Sequence, residues 1–144
     1  MTPEQEAYVR YRMERSRTAL REARVLLDAG LPEAAVSRIY YAGFYAVSAL
    51  ILTEGHTRSK HTGVISLFNR DWVRTGIVPA ELGRRFRHML DHRQDADYKD
   101  LATFTTADVR QWLSEAESFA ATISGLVTPR LSAEGVNPVE RDTP

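Results

Sequence analysis

The 144-residue sequence contains no cysteine. Disulfides, thiolate-bound metals and a cysteine nucleophile are therefore excluded. Lysine is also scarce: Lys60 and Lys99 are the only two among 19 basic residues, and 19 acidic residues bring the formal net charge to zero. A chain without net charge has no global field that attracts nucleic acid. Its cations are nevertheless almost all arginines, whose planar fork of donors suits phosphate and carboxylate, although a bias in genomic composition would give the same excess.

Long apolar runs and targeting signals are missing as well. The longest apolar stretch, residues 40–52, is shorter than the roughly 20 residues that a membrane-spanning helix needs. Arg38 interrupts its extension toward the N-terminus. The acidic first residues lack the basic-then-apolar order of a signal peptide. We therefore expect a soluble, cytoplasmic protein that does not enter a membrane.

Apolar residues recur at helical spacing through most of the chain, and no segment alternates convincingly as a strand does. The helical segments are separated by glycines and prolines, namely Gly30, Pro32, Gly55, Gly76 and Pro79. The segment from 32 to about 53 is apolar nearly all round, which is typical of a helix in the middle of a bundle. The sequence predicts an all-α fold, an up-and-down bundle of four to five helices over residues 1–128. Residues 129–144 are predicted to form a disordered tail.

Several chemistries have no motif in this chain. The histidines, His56, His61, His88 and His92, do not match the spacing of a zinc site. No glycine-rich loop is present to cradle phosphates, and no serine or threonine lies in a recognisable nucleophile setting. We therefore expect neither a metal ion nor a cofactor.

Three segments, in order, resemble the HEPN superfamily of small helical bundles. Residues 37–46, SRIYYAGFYA, are similar to the second helix of that family with its paired tyrosines. Residues 60–68, KHTGVISLF, are followed by a break at residues 76–79. Residues 93–98, RQDADY, look like the arginine-to-Asp-Tyr signature of one HEPN branch. The resemblance extends over about residues 3–126.

The resemblance implies a homodimer in which the motif segments of two protomers face one another. Many HEPN proteins are metal-independent endoribonucleases, often the toxin of a toxin–antitoxin pair with a minimal nucleotidyltransferase, and others are non-catalytic binding modules. The ribonuclease motif is an arginine followed, after four to six residues, by a histidine. Histidine can move a proton near neutral pH, and arginine supplies a fixed cation for the phosphate oxygens.

This motif departs from the family pattern. Arg93 occupies the arginine position, but Asp97 stands where histidine is expected, and Tyr98 follows it. Aspartate ordinarily titrates near pH ~4 and is a poor general acid at neutral pH unless burial raises its pKa. Arg87 and His92, five positions apart, match the spacing literally. These five residues are the candidate catalytic residues; if RNA is cleaved, Arg93 would hold the phosphate and His92 would move the proton.

A second set of residues is predicted to contact nucleic acid: Arg38, Lys60, His61, Arg85 and His88. Arg85 and His88 share a helix face with His92, because steps of three and four return to the same side. Lys60 and His61 precede a helix, where backbone N–H groups favour anions. The alternative for Arg85, His88 and His92 is a solvated basic helix face. The alternative for Lys60 and His61 is a polar helix cap.

Two further arginine patterns have open interpretations. Arg38 lies on the apolar second helix and needs either a carboxylate or the end of the bundle, and Asp97 is a candidate partner. The first helix carries a stripe of arginines, Arg10, Arg17, Arg21 and Arg24, interrupted by Glu14. Such a stripe fits either an RNA backbone or a solvated face with local Glu–Arg pairs. The pair Arg93–Asp97 is equally open to a structural interpretation, since its i, i+4 spacing is that of an ordinary ion pair.

Two functions are consistent with these patterns. The first is a HEPN-type RNA- or nucleotide-binding protein, for which the resemblance implies a place in a prokaryotic toxin–antitoxin pair. The second is a non-catalytic module that docks a nucleotidyltransferase through apolar anchors such as the second helix, Trp72 and Trp112. The family resemblance adds that a motif tyrosine is modified by the partner in related toxins, which makes Tyr98 the candidate for that modification.

Overall fold

A computed structural model of the chain describes residues 1–55 and 61–132. This part of the chain forms five α-helices and no strand: α1 Pro3–Asp28, α2 Pro32–Leu52, α3 His61–Phe68, α4 Ala80–Tyr98 and α5 Thr106–Val127. A π-helical turn, Asn69–Val73, continues α3, and a short 3-10 turn, Thr128–Arg130, follows α5. The all-α bundle predicted from the sequence is confirmed.

The second helix, α2, is the centre of the bundle. The other four helices all pack against it, and its buried residues lie on nearly every face. By length and composition alone α2 could cross a membrane, but 72% of its most apolar 18-residue window is buried inside the protein. That burial is typical of the core helix of a soluble protein.

Local sequence signals define the helix ends. Gly30 follows α1 with a φ of 78°, a left-handed conformation that glycine adopts without steric cost. Thr105 caps α5, because its hydroxyl accepts a hydrogen bond of 3.1 Å from the backbone N–H of Asp108. The polar residues 91–98, which fit either a fraying helix or a loop in the sequence, continue α4 to Tyr98. The motif residues therefore lie on one uninterrupted helix.

An aromatic cluster fixes α4 against its neighbours. Phe86 of α4 stacks on Tyr40 of α2, with ring centres 6.1 Å apart and planes within 5°. It also stacks on Phe119 of α5 at 5.7 Å and meets Phe68 of α3 edge-on at 5.7 Å. Aromatic pairs in these geometries add about 0.5–1.5 kcal/mol each beyond the burial of their area. This packing determines which face of α4 looks toward α2.

The start of the predicted tail contacts the first helix. Arg10 donates a hydrogen bond of 3.0 Å to the carbonyl of Ser132, and the backbone N–H and hydroxyl of Ser132 donate to the Glu6 carboxylate. Residues 133–144, the rest of the tail predicted from the sequence, lie outside the described residues. The disorder predicted for them stays a prediction.

The close packing of α4 on α2 can be tested at Gly43. A methyl group there would meet the Met89 sulfur at 2.8 Å and the Phe86 ring at 3.3 Å. We expect Gly43→Ala to lower the free energy of unfolding in urea by about 1–3 kcal/mol, the usual cost of overpacking. The control is Gly125→Ala in α5, where nothing lies within 4 Å and a gain of about 0.4–1 kcal/mol is expected. Wild-type stability in Gly43→Ala would contradict the packing described.

Candidate functional site

The central helix is exposed along one narrow strip. Arg38, Tyr41 and Tyr45 recur along α2 at steps of three and four, which places them on one face. All three are half-buried, whereas most of the residues between them are buried. Side chains from α1 and α4 reach this strip from either side, so three helices contribute to one surface.

Arg93 extends from α4 over the paired tyrosines of α2. Its guanidinium carbon lies 5.2 Å from the ring centre of Tyr40 and 5.1 Å from that of Tyr41, both within the range of a cation–π interaction. Its Nε lies 3.2 Å from a carboxylate oxygen of Asp97 but forms no hydrogen bond within the described part of the chain. The i, i+4 ion pair considered from the sequence is therefore present, and the Arg93 side chain keeps 22% of its surface exposed.

Arg38 brings a second guanidinium to the same tyrosine ring. Its guanidinium carbon lies 5.0 Å from the ring centre of Tyr41, and its Nη1 is 3.5 Å from a carboxylate oxygen of Glu22 in α1. Arg38 thus pairs with Glu22 and not with Asp97, the partner that the sequence suggested, because Asp97 points back along its own helix to Arg93. We refer to Arg38, Tyr41 and Arg93 as the Tyr41 cluster.

Tyr40 is fully buried beneath the Tyr41 cluster. Burial raises the pKa of Tyr40 to about 12, although the positive charge of Arg93 acts in the opposite direction. The phenol therefore stays protonated at neutral pH and is not a proton acceptor for a reaction there. Its ring supports the Arg93 guanidinium and packs against Phe86 in the core.

The His92 side chain points away from α4 in a different direction from that of Arg93. Its ring stacks on Trp112 of α5, with centres 3.6 Å and planes 12° apart. Burial lowers the pKa of His92, and His88 lowers it further, against three nearby carboxylates that raise it. Consecutive residues on a helix point roughly 100° apart, and here one faces α5 and the other α2. Within one chain, the side chains of His92 and Arg93 are therefore not placed to contact the same phosphate.

The remaining basic residues predicted on α4 lie toward its exposed side. Arg85 and Arg87 each form an ion pair with a carboxylate one turn away, at 3.9 and 3.4 Å. The His88 ring lies 6.4 Å from that of His92, as expected for side chains on a common face. Exposed ion pairs of this kind contribute little to stability, so these arginines remain available to other anions.

Tyr98 ends α4 and is 78% exposed. Leu101, just beyond it, is 93% exposed. Two other residues predicted to contact nucleic acid fall at the edge of what the structure describes: Lys60 lies outside the described residues, and His61 is placed only as the first residue of α3.

The sequence analysis missed a second group of arginines, which α1 contributes. The guanidinium carbons of Arg12 and Arg15 lie 5.5 and 5.2 Å from the ring centre of Tyr45. Arg15 also donates a hydrogen bond of 3.2 Å to the Tyr45 hydroxyl. We refer to these three residues as the Tyr45 cluster; its ring lies 5.9 Å from that of Tyr41. The i, i+4 spacing of the two tyrosines was the available signal.

The arginine stripe predicted on α1 lies on other faces of that helix. Arg17 and Arg21 both pair with Glu14, at 2.9 and 3.5 Å. Arg24 pairs with Glu117 of α5. These contacts favour the interpretation of a solvated face with Glu–Arg pairs over that of an RNA contact.

The fold and the site together define a small helical module in which arginine guanidiniums lie against tyrosine rings. In residues 1–55 and 61–132, no group of three or more histidine, aspartate and glutamate side chains is placed to hold a metal ion. A family model described as the HEPN domain matches residues 9–126. The chain belongs to the HEPN domain family, as the resemblance of its motifs indicated.

Relatives of known sequence agree with this assignment. A "UPF0332 protein" of Thermotoga maritima is 43% identical over 124 residues, which cover 86% of this chain and 94% of that protein. "Putative toxin MJ0142" of Methanocaldococcus jannaschii is 35% identical over 86 residues, 60% of this chain and 58% of the relative. "Putative toxin MJ0605" of the same organism is 37% identical over 79 residues, 55% of this chain and 59% of the relative. The chain is thus similar to two proteins named as putative toxins.

The burial of His92 predicts a pH-dependent contribution to stability. Because its pKa is lowered in the folded state, the unfolded chain takes up the proton first as the pH falls. The contribution is therefore present above the ordinary histidine pKa of 6.5 and is lost as the pH drops below it. We expect His92→Phe, which keeps a ring on Trp112, to show a smaller loss of unfolding free energy in urea between neutral pH and a pH below 6.5.

The control for this measurement is His88→Gln. His88 is exposed on the same helix, so this variant should keep most of the wild-type pH dependence. An identical pH dependence in wild type and His92→Phe would contradict the assignment of the effect to the buried ring.

Proposed function

We propose that this protein is the RNA-binding HEPN component of a prokaryotic toxin–antitoxin pair, and that it holds RNA without cutting it. The proposal rests on the Tyr41 cluster, in which two guanidinium carbons lie 5.0 and 5.1 Å from one ring centre. The side chains of Arg38 and Arg93 keep 29% and 22% of their surface exposed. In keeping with the family resemblance, we further propose a cytoplasmic homodimer whose motif segments face one another.

The Tyr41 cluster suits the phosphates of RNA. A guanidinium donates parallel hydrogen bonds to phosphate oxygens, and each guanidinium here has one carboxylate neighbour, Glu22 or Asp97, in a partly exposed ion pair. Such pairs are weak, so a phosphate can take the place of the carboxylate. The tyrosine rings hold the guanidiniums in position before RNA arrives, which reduces the entropy lost on binding.

The arrangement of proton-moving groups favours binding over cleavage. Asp97, which stands in the histidine position of the motif, is ion-paired with Arg93, and an ionised carboxylate has no proton to give to a leaving oxygen. His92 has a lowered pKa but stacks on Trp112, away from the Tyr41 cluster. General acid–base catalysis needs a group within hydrogen-bond reach of the proton that it moves. His92 lies out of reach, and the Asp97 carboxylate can accept a proton but has none to donate, so neither group can protonate a leaving oxygen beside Arg93 in one chain.

The test is a titration of fluorescently labelled RNA, with EDTA present, that records binding and RNA integrity together. We expect wild type to bind and to leave the RNA intact. Arg93→Ala and Arg38→Ala should each weaken binding about 10-fold or more, since a charge-assisted hydrogen bond contributes roughly 1.5–3 kcal/mol. Circular dichroism of each variant verifies that the helices persist.

The matched control is Arg84→Ala. Arg84 lies on the same helix, is exposed and pairs with Glu81 at 3.4 Å, so its loss should leave binding unchanged. Absence of RNA binding by wild type, or an equal effect of Arg84→Ala and Arg93→Ala, would refute the proposed site. RNA cleavage by wild type that disappears in Arg93→Ala would retain the site and refute the non-cleaving part of the proposal.

A second candidate function is the docking of a nucleotidyltransferase, favoured by the exposure of Tyr98 and Leu101 directly after the motif. The two tryptophans considered as docking anchors from the sequence are less accessible than Tyr98 and Leu101. Trp72 is only 1% exposed in the core, and one face of Trp112 is covered by His92. The end of α4 is therefore the better candidate for a protein contact.

Mass spectrometry after incubation with a minimal nucleotidyltransferase and ATP tests this candidate. We expect wild type to gain a nucleoside monophosphate on the Tyr98 oxygen, with release of pyrophosphate, and Tyr98→Phe to gain none. Tyr11→Phe is the control, because Tyr11 is also an exposed tyrosine, at 55%, but lies on α1. Equal labelling of Tyr98→Phe and wild type would reject Tyr98 as the acceptor.

A further inference from the structure

The two arginine–tyrosine clusters adjoin on the surface of α2. Tyr41 and Tyr45 lie one helical turn apart, with ring centres separated by 5.9 Å. Each ring has two guanidinium groups about 5 Å away: those of Arg38 and Arg93 at Tyr41, and those of Arg12 and Arg15 at Tyr45. Three helices thus build the same arrangement twice in succession. Arg12 and Arg15, the two arginines of the Tyr45 cluster, lie outside the three segments that carry the HEPN resemblance.

We propose that the Tyr45 cluster is a second phosphate-binding position, and that a single strand of RNA runs from the Tyr41 cluster across α2 to the exposed tyrosines Tyr8 and Tyr11 of α1. This proposal rests on the proposed function, since it extends the same RNA contact. It names the substrate class more narrowly: single-stranded RNA long enough to reach both clusters.

The charge of the Tyr45 cluster supports an anionic ligand. Among the described residues, Arg12 and Arg15 form no ion pair with a carboxylate, unlike Arg17 and Arg21 on the same helix, which share Glu14. Arg12 Nη2 donates instead to the Tyr8 hydroxyl at 2.6 Å, and its buried Nε has no hydrogen-bond partner. Both cations are thus held by aromatic rings and hydroxyls, which leaves their charge uncompensated by an ion pair.

Glu22 is the acidic residue between the two clusters. It pairs with Arg38 at 3.5 Å and also exerts a weaker attraction on Arg15. The two clusters contain four arginines and have two carboxylate neighbours, Glu22 and Asp97, which leaves an excess of positive charge on this surface. A strand with one negative charge per nucleotide complements that excess.

Aromatic and cationic groups alternate along the proposed path. Beyond Tyr45, the Arg12 guanidinium lies between two rings, 5.5 Å from the centre of Tyr45 and 5.0 Å from that of Tyr8. Tyr8 in turn stacks with Tyr11 at 6.2 Å, with planes 14° apart. Grooves that bind single strands combine cations for the backbone with aromatic side chains for the bases in this manner.

The exposure of the last two rings favours a single strand over a duplex. Tyr8 and Tyr11 are 43% and 55% exposed although both are large and aromatic. Each ring thus offers a surface on which an unpaired base can stack, which contributes about 1–3 kcal/mol per base. The bases of a duplex are stacked on one another and cannot use these rings.

The experiment measures binding of labelled single-stranded RNA to the double variant Arg12→Ala/Arg15→Ala over a series of salt concentrations. For an oligonucleotide of about a dozen residues, within the site sizes of single-strand grooves, we expect on the order of 10-fold weaker binding. The slope of log K against log salt should fall by about 1 to 2, as expected for the loss of one or two phosphate contacts. A dinucleotide, whose single phosphate can occupy only one cluster at a time, should lose less affinity in the double variant than the long strand does.

The matched control is Arg17→Ala/Arg21→Ala, which removes two arginines from the same helix outside the path and should leave both affinities unchanged. Tyr11→Ala keeps every arginine and also keeps Tyr8, whose hydroxyl accepts a hydrogen bond from Arg12, so it should weaken binding of the long strand without changing its salt slope. Far-ultraviolet circular dichroism and thermal unfolding show whether each variant retains the helical bundle.

The results separate this proposal from the function on which it rests. If wild type binds no RNA, or if Arg93→Ala binds as wild type does, the proposed function itself is wrong. If Arg93→Ala weakens binding but Arg12→Ala/Arg15→Ala does not, the Tyr41 cluster stands and the second phosphate position is refuted. Equal competition by a duplex and a single strand of the same length would refute the single-strand specificity.

Discussion

The Tyr40 ring of α2 contacts two side chains of α4, Phe86 on the core side and Arg93 on the surface side. The position of the candidate site therefore depends on the packing of these two helices. Phe86 stacks parallel to Tyr40, and the Arg93 guanidinium lies 5.2 Å from the same ring. Because Gly43 presents no side chain next to Phe86 and Met89, α4 can lie close enough to α2 for both contacts to form. The position of the motif arginine is thus a consequence of core packing.

Sequence periodicity was sufficient to predict the helices but not their neighbours. The breaks at Gly30 and Pro79 and the all-round apolar character of residues 32–53 correctly predicted the bundle and its buried central helix. Trp72, by contrast, was considered as a surface anchor and is buried. An apolar pattern shows that a residue faces other residues, but only the three-dimensional packing shows whether these belong to the core or to a partner.

The site was predicted in the same partial way. The i, i+4 spacing of Arg93 and Asp97 predicted their ion pair, which is a local property of one helix. The partner of Arg38, the stacking of His92 on Trp112 and the approach of Arg12 and Arg15 to Tyr45 depend on contacts between helices far apart in the sequence. A helical wheel of α1 alone cannot distinguish the arginines that face α2 from those that pair with Glu14.

The family assignment rests on most of the chain, whereas the proposed activity rests on the few side chains of the candidate site. Membership of the HEPN family follows from residues 9–126, and the similarity to relatives named as putative toxins covers 60% and 55% of the chain. The proposal of RNA binding depends on a few side chains: arginines held against tyrosine rings, with an aspartate where the ribonuclease motif has histidine. Such a site keeps an arginine suited to phosphate and lacks, beside it, a histidine that could both accept and donate a proton.

The central claim, that the Tyr41 cluster contacts RNA phosphates, is tested most directly by nuclear magnetic resonance of the arginine Nε–Hε groups during titration with single-stranded RNA. The signals of Arg38 and Arg93 should shift together along one saturation curve, while that of Arg84, paired with Glu81 on the same helix as Arg93, stays in place. Saturable binding that shifts Arg84 but leaves Arg38 and Arg93 unmoved would contradict the account.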